Sequence, residues 1–160
     1  MGIFRHVTSH SASSVRNMTT MASLRRISAK SLSEKILAEK DSPSPSYAII
    51  DVRDDDYIGG HIKGCINIPS VQLDAMMPTL VRKLKDTKTV VFHCALSQQR
   101  GPSAALKYLR EKDGLSKREG EGAVEQEVLV LDKGFEGWQR VYGGDERLTE
   151  GYVKDIWENY

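Results

Sequence analysis

Apolar runs at intervals along the chain predict a set of short, buried strands. Residues 47–52, 88–92 and 127–131 are each rich in aliphatic side chains and are bounded by polar or turn-forming residues. Continuous apolar runs of this length are typical of strands covered on both faces, as in a parallel sheet. Residues 24–27 and 65–68 carry shorter runs and are predicted to add two short strands.

Helical segments alternate with these strands. Ser28 or Ser31 is predicted to cap a helix that ends near Ala38, a second helix covers residues 103–111, and a short third follows the last strand. This alternation indicates an α/β fold with a central parallel sheet flanked by helices. A chain of 160 residues suits one such domain, which we expect to span residues 24–160, including the aromatic C-terminal tail.

Two further segments between the predicted strands have less regular patterns. Pro78 lies in the middle of an apolar stripe with helical spacing, and a proline disrupts a helix interior. The stripe therefore predicts two short helices, over residues 71–76 and 78–84, instead of one. Residues 112–126 are polar and contain three glycines, which predicts an exposed insertion.

The first 33 residues differ in composition from the rest of the chain. They carry five Lys or Arg residues, many Ser and Thr, and no Asp or Glu. A mitochondrial transit peptide has this composition, but so does a disordered leader over residues 1–23, which we prefer because composition alone is weak evidence. Met18 and Met21 are alternative starts of the chain. We expect a protein of the cytoplasm and nucleus, with the mitochondrion as the alternative.

Charge and cysteine content restrict the partners. The formal net charge is +1, so no strong attraction to nucleic acid or to a membrane is expected. Cys65 and Cys94 are too few for a disulfide framework, and their spacing fits no zinc site. A reducing compartment suits such a chain, and no apolar run approaches the roughly 20 residues that span a bilayer. We expect a monomer without a bound metal.

The segment with the clearest chemical pattern follows the strand at residues 88–92. His93 and Cys94 come directly after it, and Arg100 lies six positions beyond the cysteine, near the start of a helix. Backbone N–H groups of such a loop and of a helix N-terminus attract anions and favour a thiolate, and an arginine fork grips two oxygens of an oxyanion. The alternative is a small buried cysteine at a strand end. We predict a cysteine nucleophile in a phosphate-sized loop of Ala95, Leu96, Ser97, Gln98, Gln99 and Arg100.

Three stretches of the chain carry motifs of a known family. They are residues 49–67, with the pattern Ile-Ile-Asp-Val-Arg and then Gly-Gly-His-Ile-Lys-Gly; the loop at residues 93–102; and Gly-Phe-Glu-Gly-Trp at residues 134–138. Together they resemble rhodanese-like domains, and within that fold the M-phase inducer dual-specificity phosphatases. Small fungal phosphatases and eukaryotic arsenate reductases of this type share nearly the same loop. The resemblance implies a rhodanese-like fold and catalysis by Cys94 and Arg100 through a phosphocysteine.

Several polar residues near the loop are candidates for supporting roles. Ser97 is expected to hydrogen-bond the sulfur through its hydroxyl and to stabilise the thiolate as a leaving group. His93 either orients the loop by hydrogen bonding or is a satisfied core histidine. Asp51 lies at the end of a strand. It either supports the active-site loop, directly or through Arg100, or it caps its own strand. The run of aspartates at residues 54–56 is interpreted as a solvated charged segment in preference to a source of a catalytic acid.

Departures from the family pattern leave more than one function open. The M-phase inducers carry a Glu after the cysteine and another before the arginine, whereas this chain has Ala95 and Gln99, so an in-loop general acid is missing. Many of them also have a second cysteine at the position of Val52; Cys65 lies elsewhere and is expected to be structural. Sulfurtransferases of this fold have a loop one residue shorter, which suits a persulfide.

We therefore predict a protein tyrosine or dual-specificity phosphatase without a cofactor, acting on a phosphorylated protein or a small oxyanion substrate. The alternative is an arsenate reductase that uses glutathione and glutaredoxin as reductants. A sulfurtransferase or a non-catalytic binding module is a further alternative.

Overall fold

The computed structural model of the protein describes residues 18–120 and 125–159. Five strands there form one sheet: β1 (Arg26–Ile27), β2 (Tyr47–Asp51), β4 (Ile66–Asn67), β5 (Thr89–His93) and β6 (Glu127–Leu131). Their spatial order is β1, β6, β5, β2, β4, and every neighbouring pair is parallel. β3 (His61–Ile62) and β7 (Thr149–Glu150) form a separate antiparallel pair. The predicted central parallel sheet is confirmed.

Helices cover both faces of the sheet. The elements are α1 (Ala29–Ala38), α2 (Leu73–Lys83), α3 (Arg100–Glu119), α4 (Gly134–Tyr142) and α5 (Lys154–Glu158), with a 3₁₀ turn at Ser70–Gln72. α2 and α3 pack on one face, and α1 and α4 on the other. No helix within the described ranges combines the length and the apolar character that crossing a membrane requires.

Side chains along each strand alternate between two cores, because successive residues point to opposite faces. On β5, Val90 and Phe92 join the core under α2 and α3, and Cys94 continues that series one residue past the strand. Val91 joins the core under α1 and α4, and by the same alternation His93 points to that side. The strand therefore directs the thiol of Cys94 and the imidazole of His93 to opposite faces of the sheet.

α3 is longer at both ends than predicted. It begins at Arg100 instead of Ser103, and it ends at Glu119 instead of near residue 111. The predicted exposed insertion is therefore wrong over residues 112–119; residues 121–124 lie outside the described ranges. Buried Leu115 secures the added turns, and Gly120, with φ +66°, ends the helix in a left-handed cap. Ion pairs of Lys117 with Asp113 and of Arg118 with Glu111 lie on the same turns, so the polar composition of this segment is compatible with a helix.

Pro78 lies inside one continuous helix, so the prediction of two short helices is wrong. α2 buries Leu73, Met77, Leu80 and Val81 on one stripe. Packing of this stripe outweighs the hydrogen bond that the proline removes from the helix interior.

The predicted disordered leader falls mostly outside the described residues, and it stays a prediction for residues 1–17. Residues 18–23 are exposed, and the Ser23 N–H donates to the Thr20 carbonyl at 3.1 Å to close a turn.

Pro78→Ala is expected to stabilise the protein. Alanine restores an N–H that donates to the carbonyl of Asp74 one turn earlier. The free energy of unfolding should rise by about 2–3 kcal/mol, since a helix-interior proline costs about 3 kcal/mol and the greater freedom of the unfolded alanine variant offsets up to about 1 kcal/mol. Urea unfolding measures the change. Thr79→Ala, at the next and exposed position of α2, is the control, and equal midpoints for the two variants would contradict the expectation.

Candidate active site

Cys94 lies at the carboxyl edge of the sheet, one residue beyond β5. The residue is buried, with 3% of its surface exposed, and the segment from Cys94 to Arg100 connects it to the first turn of α3. An open cleft of about 230 Å³ is lined by Cys94, Ala95, Leu96, Gln98, Gln99 and Arg100. We call this loop and its cleft the oxyanion cup.

The first turn of α4 holds the oxyanion cup from behind. The Phe135 N–H donates to the Cys94 carbonyl and the Glu136 N–H to the Ala95 carbonyl, both at 2.9 Å. In a trans peptide the C=O and the following N–H point in opposite directions. The N–H groups of Ala95 and Leu96 therefore point away from α4, on the side of the cleft. Two donors for an oxyanion are oriented by this contact.

Ser97 closes the loop around the sulfur. Its backbone N–H donates to the Cys94 Sγ at 3.2 Å, while its hydroxyl accepts the Cys94 N–H at 3.4 Å. This crossed pair places Ser97 at a left-handed φ of +54°, which is uncommon for a residue other than glycine. Arg26 supports the turn by donating to the Ser97 carbonyl at 3.1 Å. The sulfur is thus contacted by the backbone of Ser97, whereas the sequence had pointed to its hydroxyl.

Asp51 pairs with Arg53, and the structure does not bring it to Arg100. Both side chains are fully buried, and the Arg53 Nε and Nη2 donate to the carboxylate at 2.7–3.1 Å. The Arg53 guanidinium also stacks on Phe135 at 4.2 Å from the ring centroid and donates to the Gly60 carbonyl at 2.9 Å. Asp51 is therefore connected to the loop only indirectly, through Arg53 and the helix residue that holds the Cys94 carbonyl, and its predicted bracing of the loop stays a prediction.

His93 lies between the oxyanion cup and this ion pair. Its Nδ1 is 3.1 Å from the Cys94 carbonyl oxygen, and its Nε2 is 3.6 Å from the Asp51 Oδ2. Complete burial lowers the pKa of His93, so the imidazole is neutral and donates from Nδ1 to the Cys94 carbonyl. Its position matches the predicted role of orienting the loop, which stays a prediction.

Arg100 is held by two carboxylates of the segment that follows β2. Its Nη1 donates to the Asp54 Oδ2 at 3.2 Å and to the Asp56 Oδ1 at 2.8 Å, and its Nη2 donates to the Asp56 Oδ2 at 2.6 Å. Hydrogen bonds from Arg100 are the main cause that lowers the pKa of Asp56. The same bonds raise the pKa of Arg100. The guanidinium is fully charged at the mouth of the cup.

The interpretation of residues 54–56 as a solvated run is therefore wrong for two of the three aspartates. Only Asp55 is exposed. Asp54 also accepts the Ser70 hydroxyl at 2.6 Å, and this contact and the buried Arg53 fold the segment back over the cup. The sequence signal that would have found it is the position of the aspartates directly after a strand adjacent to that of Cys94.

Cys65 has a separate environment. Its Sγ lies 3.8 Å from the Tyr57 hydroxyl oxygen, and it packs at the margin of the core under α1 and α4. Burial raises the pKa of Cys65 to about 12, so this thiol is a poor nucleophile near neutral pH. Among the described residues, no group of three His, Cys, Asp or Glu side chains is arranged to hold a metal ion.

A parallel sheet with a cysteine loop at the carboxyl end of a central strand, closed from behind by a helix, defines a rhodanese-like domain. The rhodanese-like domain family matches residues 28–141, and the chain belongs to this family. The resemblance that the motifs predicted is confirmed.

Individual relatives are phosphatases and arsenate reductases by name. The CDC25-like phosphatase YCH1 of Saccharomyces cerevisiae is 39% identical over 122 residues, which are 69% of this chain and 78% of that protein. Arsenate reductase 2.2 of Oryza sativa subsp. japonica is 41% identical over 96 residues, 59% of this chain and 71% of that protein. A Saccharomyces cerevisiae homolog of single-domain rhodanese and the Cdc25 phosphatase catalytic domain superposes with a TM-score of 0.70 at 33% identity, covering 86% and 94% of the two chains.

Gly134→Ala is expected to damage the oxyanion cup. Gly134 has φ +56°, and a Cβ there would lie 2.5 Å from the carbonyl oxygens of both Cys94 and Ala95. The free energy of unfolding should fall by about 2 kcal/mol or more, because left-handed strain and a backbone clash add, and turnover should fall with it. Differential scanning calorimetry and an aryl phosphate assay measure the two effects. Gly144→Ala, where a Cβ meets nothing within 4 Å, should change neither.

Proposed function

We propose that the protein is a cysteine-dependent phosphatase of the protein tyrosine or dual-specificity type, acting through a phosphocysteine. The observation that carries this proposal is the position of the Cys94 sulfur. It lies within a loop whose N–H groups at Ala95 and Leu96 point to the cleft side, with the charged Arg100 at the mouth. A sulfur nucleophile surrounded by anion donors suits attack on a tetrahedral oxyanion.

The reaction has two displacements. The Cys94 thiolate attacks phosphorus in line, the S–P bond forms, and the bond to the leaving oxygen breaks. Arg100 and the loop N–H groups hold the non-bridging oxygens while charge redistributes. Water then attacks phosphorus, the S–P bond breaks, and the thiolate returns with the Ser97 N–H at 3.2 Å stabilising its charge. Protons exchange with solvent in both steps.

Arsenate reduction is the second candidate, and two observations favour it. The oxyanion cup has no carboxylate of its own, since Ala95 and Gln99 occupy the positions of the M-phase inducer glutamates, and a rice relative is named an arsenate reductase. Reduction requires a second thiol to take the arsenic-bound sulfur through exchange. Cys65 is unsuited because burial raises its pKa to about 12. A reductase would therefore draw on external glutathione and glutaredoxin.

The expected setting follows from the nucleophile. A free Cys94 stays active only where thiols are reduced, so we propose the cytoplasm and nucleus as the location and no bound cofactor for the phosphatase. The substrate is a phosphorylated protein or a small oxyanion, taken up by a monomer.

Cys94→Ser is expected to abolish turnover and to keep oxyanion binding. Serine preserves the loop and its N–H groups but is a far weaker nucleophile at neutral pH, so release of phosphate from an aryl phosphate should fall by about 10³-fold or more. Cys65→Ser is the matched control and should retain most of the rate. Near-native turnover by the Cys94→Ser variant would contradict the assignment of Cys94 as the nucleophile.

Aryl phosphates should turn over faster than alkyl phosphates. No carboxylate of the loop is placed to protonate an alkoxide, whereas a phenolate leaves with little help. The comparison uses kcat/KM for an aryl and an alkyl phosphate of similar size, in one enzyme preparation.

The same preparation is then assayed for arsenite formation with glutathione and glutaredoxin. Robust arsenite formation with negligible phosphate release would replace the phosphatase by the reductase. The phosphatase would be supported if the native enzyme releases phosphate, the Cys94→Ser variant does not, and the native enzyme forms no arsenite.

A further inference from the structure

The guanidinium of Arg100 uses only one of its two hydrogen-bonding edges in the free protein. Asp56 occupies the edge formed by Nη1 and Nη2, and Asp54 takes the remaining Nη1 proton. The other edge, formed by Nε–H and the second Nη2–H, donates to no group among residues 18–120 and 125–159. This edge matches two oxygens of a phosphate as well as the occupied one does.

We propose that Asp56, assisted by Asp54, is a positioning residue that turns the free edge of Arg100 toward the oxyanion. The proposal rests on the oxyanion-binding role that the proposed function gives Arg100. Asp56 does not touch the substrate, and it acts through the guanidinium.

Hydrogen bonds to neighbouring residues hold the carboxylates of Asp54 and Asp56 in position to orient Arg100. Asp54 accepts the Ser70 hydroxyl at 2.6 Å and the Val71 N–H at 3.3 Å. Asp56 Oδ1 accepts the Asp54 N–H at 3.0 Å, so the two side chains are joined through the backbone. Because α2 begins just after Ser70–Gln72, these bonds tie the acidic segment to the helix layer beside α3.

The other end of the segment is held by Arg53 and by the C-terminal tail. Arg53 donates to the Asp56 carbonyl at 3.4 Å and to the Gly60 carbonyl at 2.9 Å. The Trp157 indole N–H donates to the Gly59 carbonyl at 2.8 Å. Contacts on both sides limit the movement of the two carboxylates, which an orienting group requires.

The same ion pairs have an opposite interpretation, in which the two carboxylates compete with the oxyanion for Arg100. In that case Asp54 and Asp56 would withdraw Arg100 from the cup, and an oxyanion would have to displace them. The division of edges argues for positioning, since an oxyanion on the Nε edge breaks none of the three bonds. The two readings predict opposite changes in oxyanion affinity when Asp56 loses its charge.

The test compares Asp56→Asn with Asp55→Asn. Both variants remove one negative charge from the same segment, but Asp55 is exposed and Asp56 contacts Arg100. Asparagine keeps an oxygen for the Asp54 N–H and the Arg100 Nη1, and it puts an NH₂ donor opposite the Nη2 donor. The fork should therefore lose its fixed orientation while the local turn survives.

Binding of inorganic phosphate is measured by protection of Cys94 against iodoacetamide, read by mass spectrometry. In Asp56→Asn the dissociation constant of phosphate should rise by about tenfold, and kcat/KM for an aryl phosphate should fall by a similar factor. Asp55→Asn should leave both near the native values. An unchanged or tighter dissociation constant in Asp56→Asn would overturn the proposal.

A double-mutant cycle separates positioning from general damage. If Asp56 acts through Arg100, Asp56→Asn should have no further effect on phosphate protection in an Arg100→Ala background. If Asp56→Asn weakens phosphate binding by the same factor in the Arg100→Ala background, the positioning proposal is overturned. Melting temperatures of all variants identify any that do not fold. Because protection needs no turnover, a failed phosphatase assay leaves this result readable.

Discussion

The buried ion pair between Asp51 and Arg53 connects the parts of the site that come from distant segments of the chain. Asp51 ends β2 beside His93 of β5, and Arg53 reaches from it to the ring of Phe135 on α4. The backbone of Phe135 in turn holds the Cys94 carbonyl. Removing either partner would leave an unpaired buried charge, which typically costs about 3–5 kcal/mol. Catalytic geometry and stability therefore depend on the same pair.

This pair also explains why the acidic segment lies over the oxyanion cup. A run of three aspartates would ordinarily extend into solvent, where its charges are hydrated. Arg53 prevents this, since it is fixed in the core and donates to the carbonyls of Asp56 and Gly60. Its stacking on Tyr57, 5.0 Å from the ring centroid, adds a further anchor. The two carboxylates that reach Arg100 are thus positioned by another arginine.

Features decided by local pattern were predictable from the sequence, and those decided by tertiary contact were not. The strand of aliphatic residues before Cys94 and the glycine and proline after Arg100 locate the loop without knowledge of the rest of the chain. Pro78 was misjudged because the helix survives on the burial of its apolar stripe. The C-terminal turns of α3 were missed because their polar residues and glycines are typical of a loop, whereas Leu115 is buried against the core. The pairing of Asp54 and Asp56 with Arg100 joins positions more than 40 residues apart, and it follows only once β2 is placed beside β5 in the sheet.

One cup suits either a phosphatase or an arsenate reductase, because capture of an oxyanion and the first attack make the same demands in both reactions. Each needs a sulfur nucleophile, N–H donors and one cation that binds two oxygens, and the proposed function assigns these roles to Cys94, the loop backbone and Arg100. The reactions diverge only when the covalent adduct is resolved, by water or by a second thiol. Cys65 is held beside Tyr57 as a protonated thiol, so this chain carries no suitable thiol of its own among the described residues. Of the two routes, resolution by water is the one that requires no second thiol.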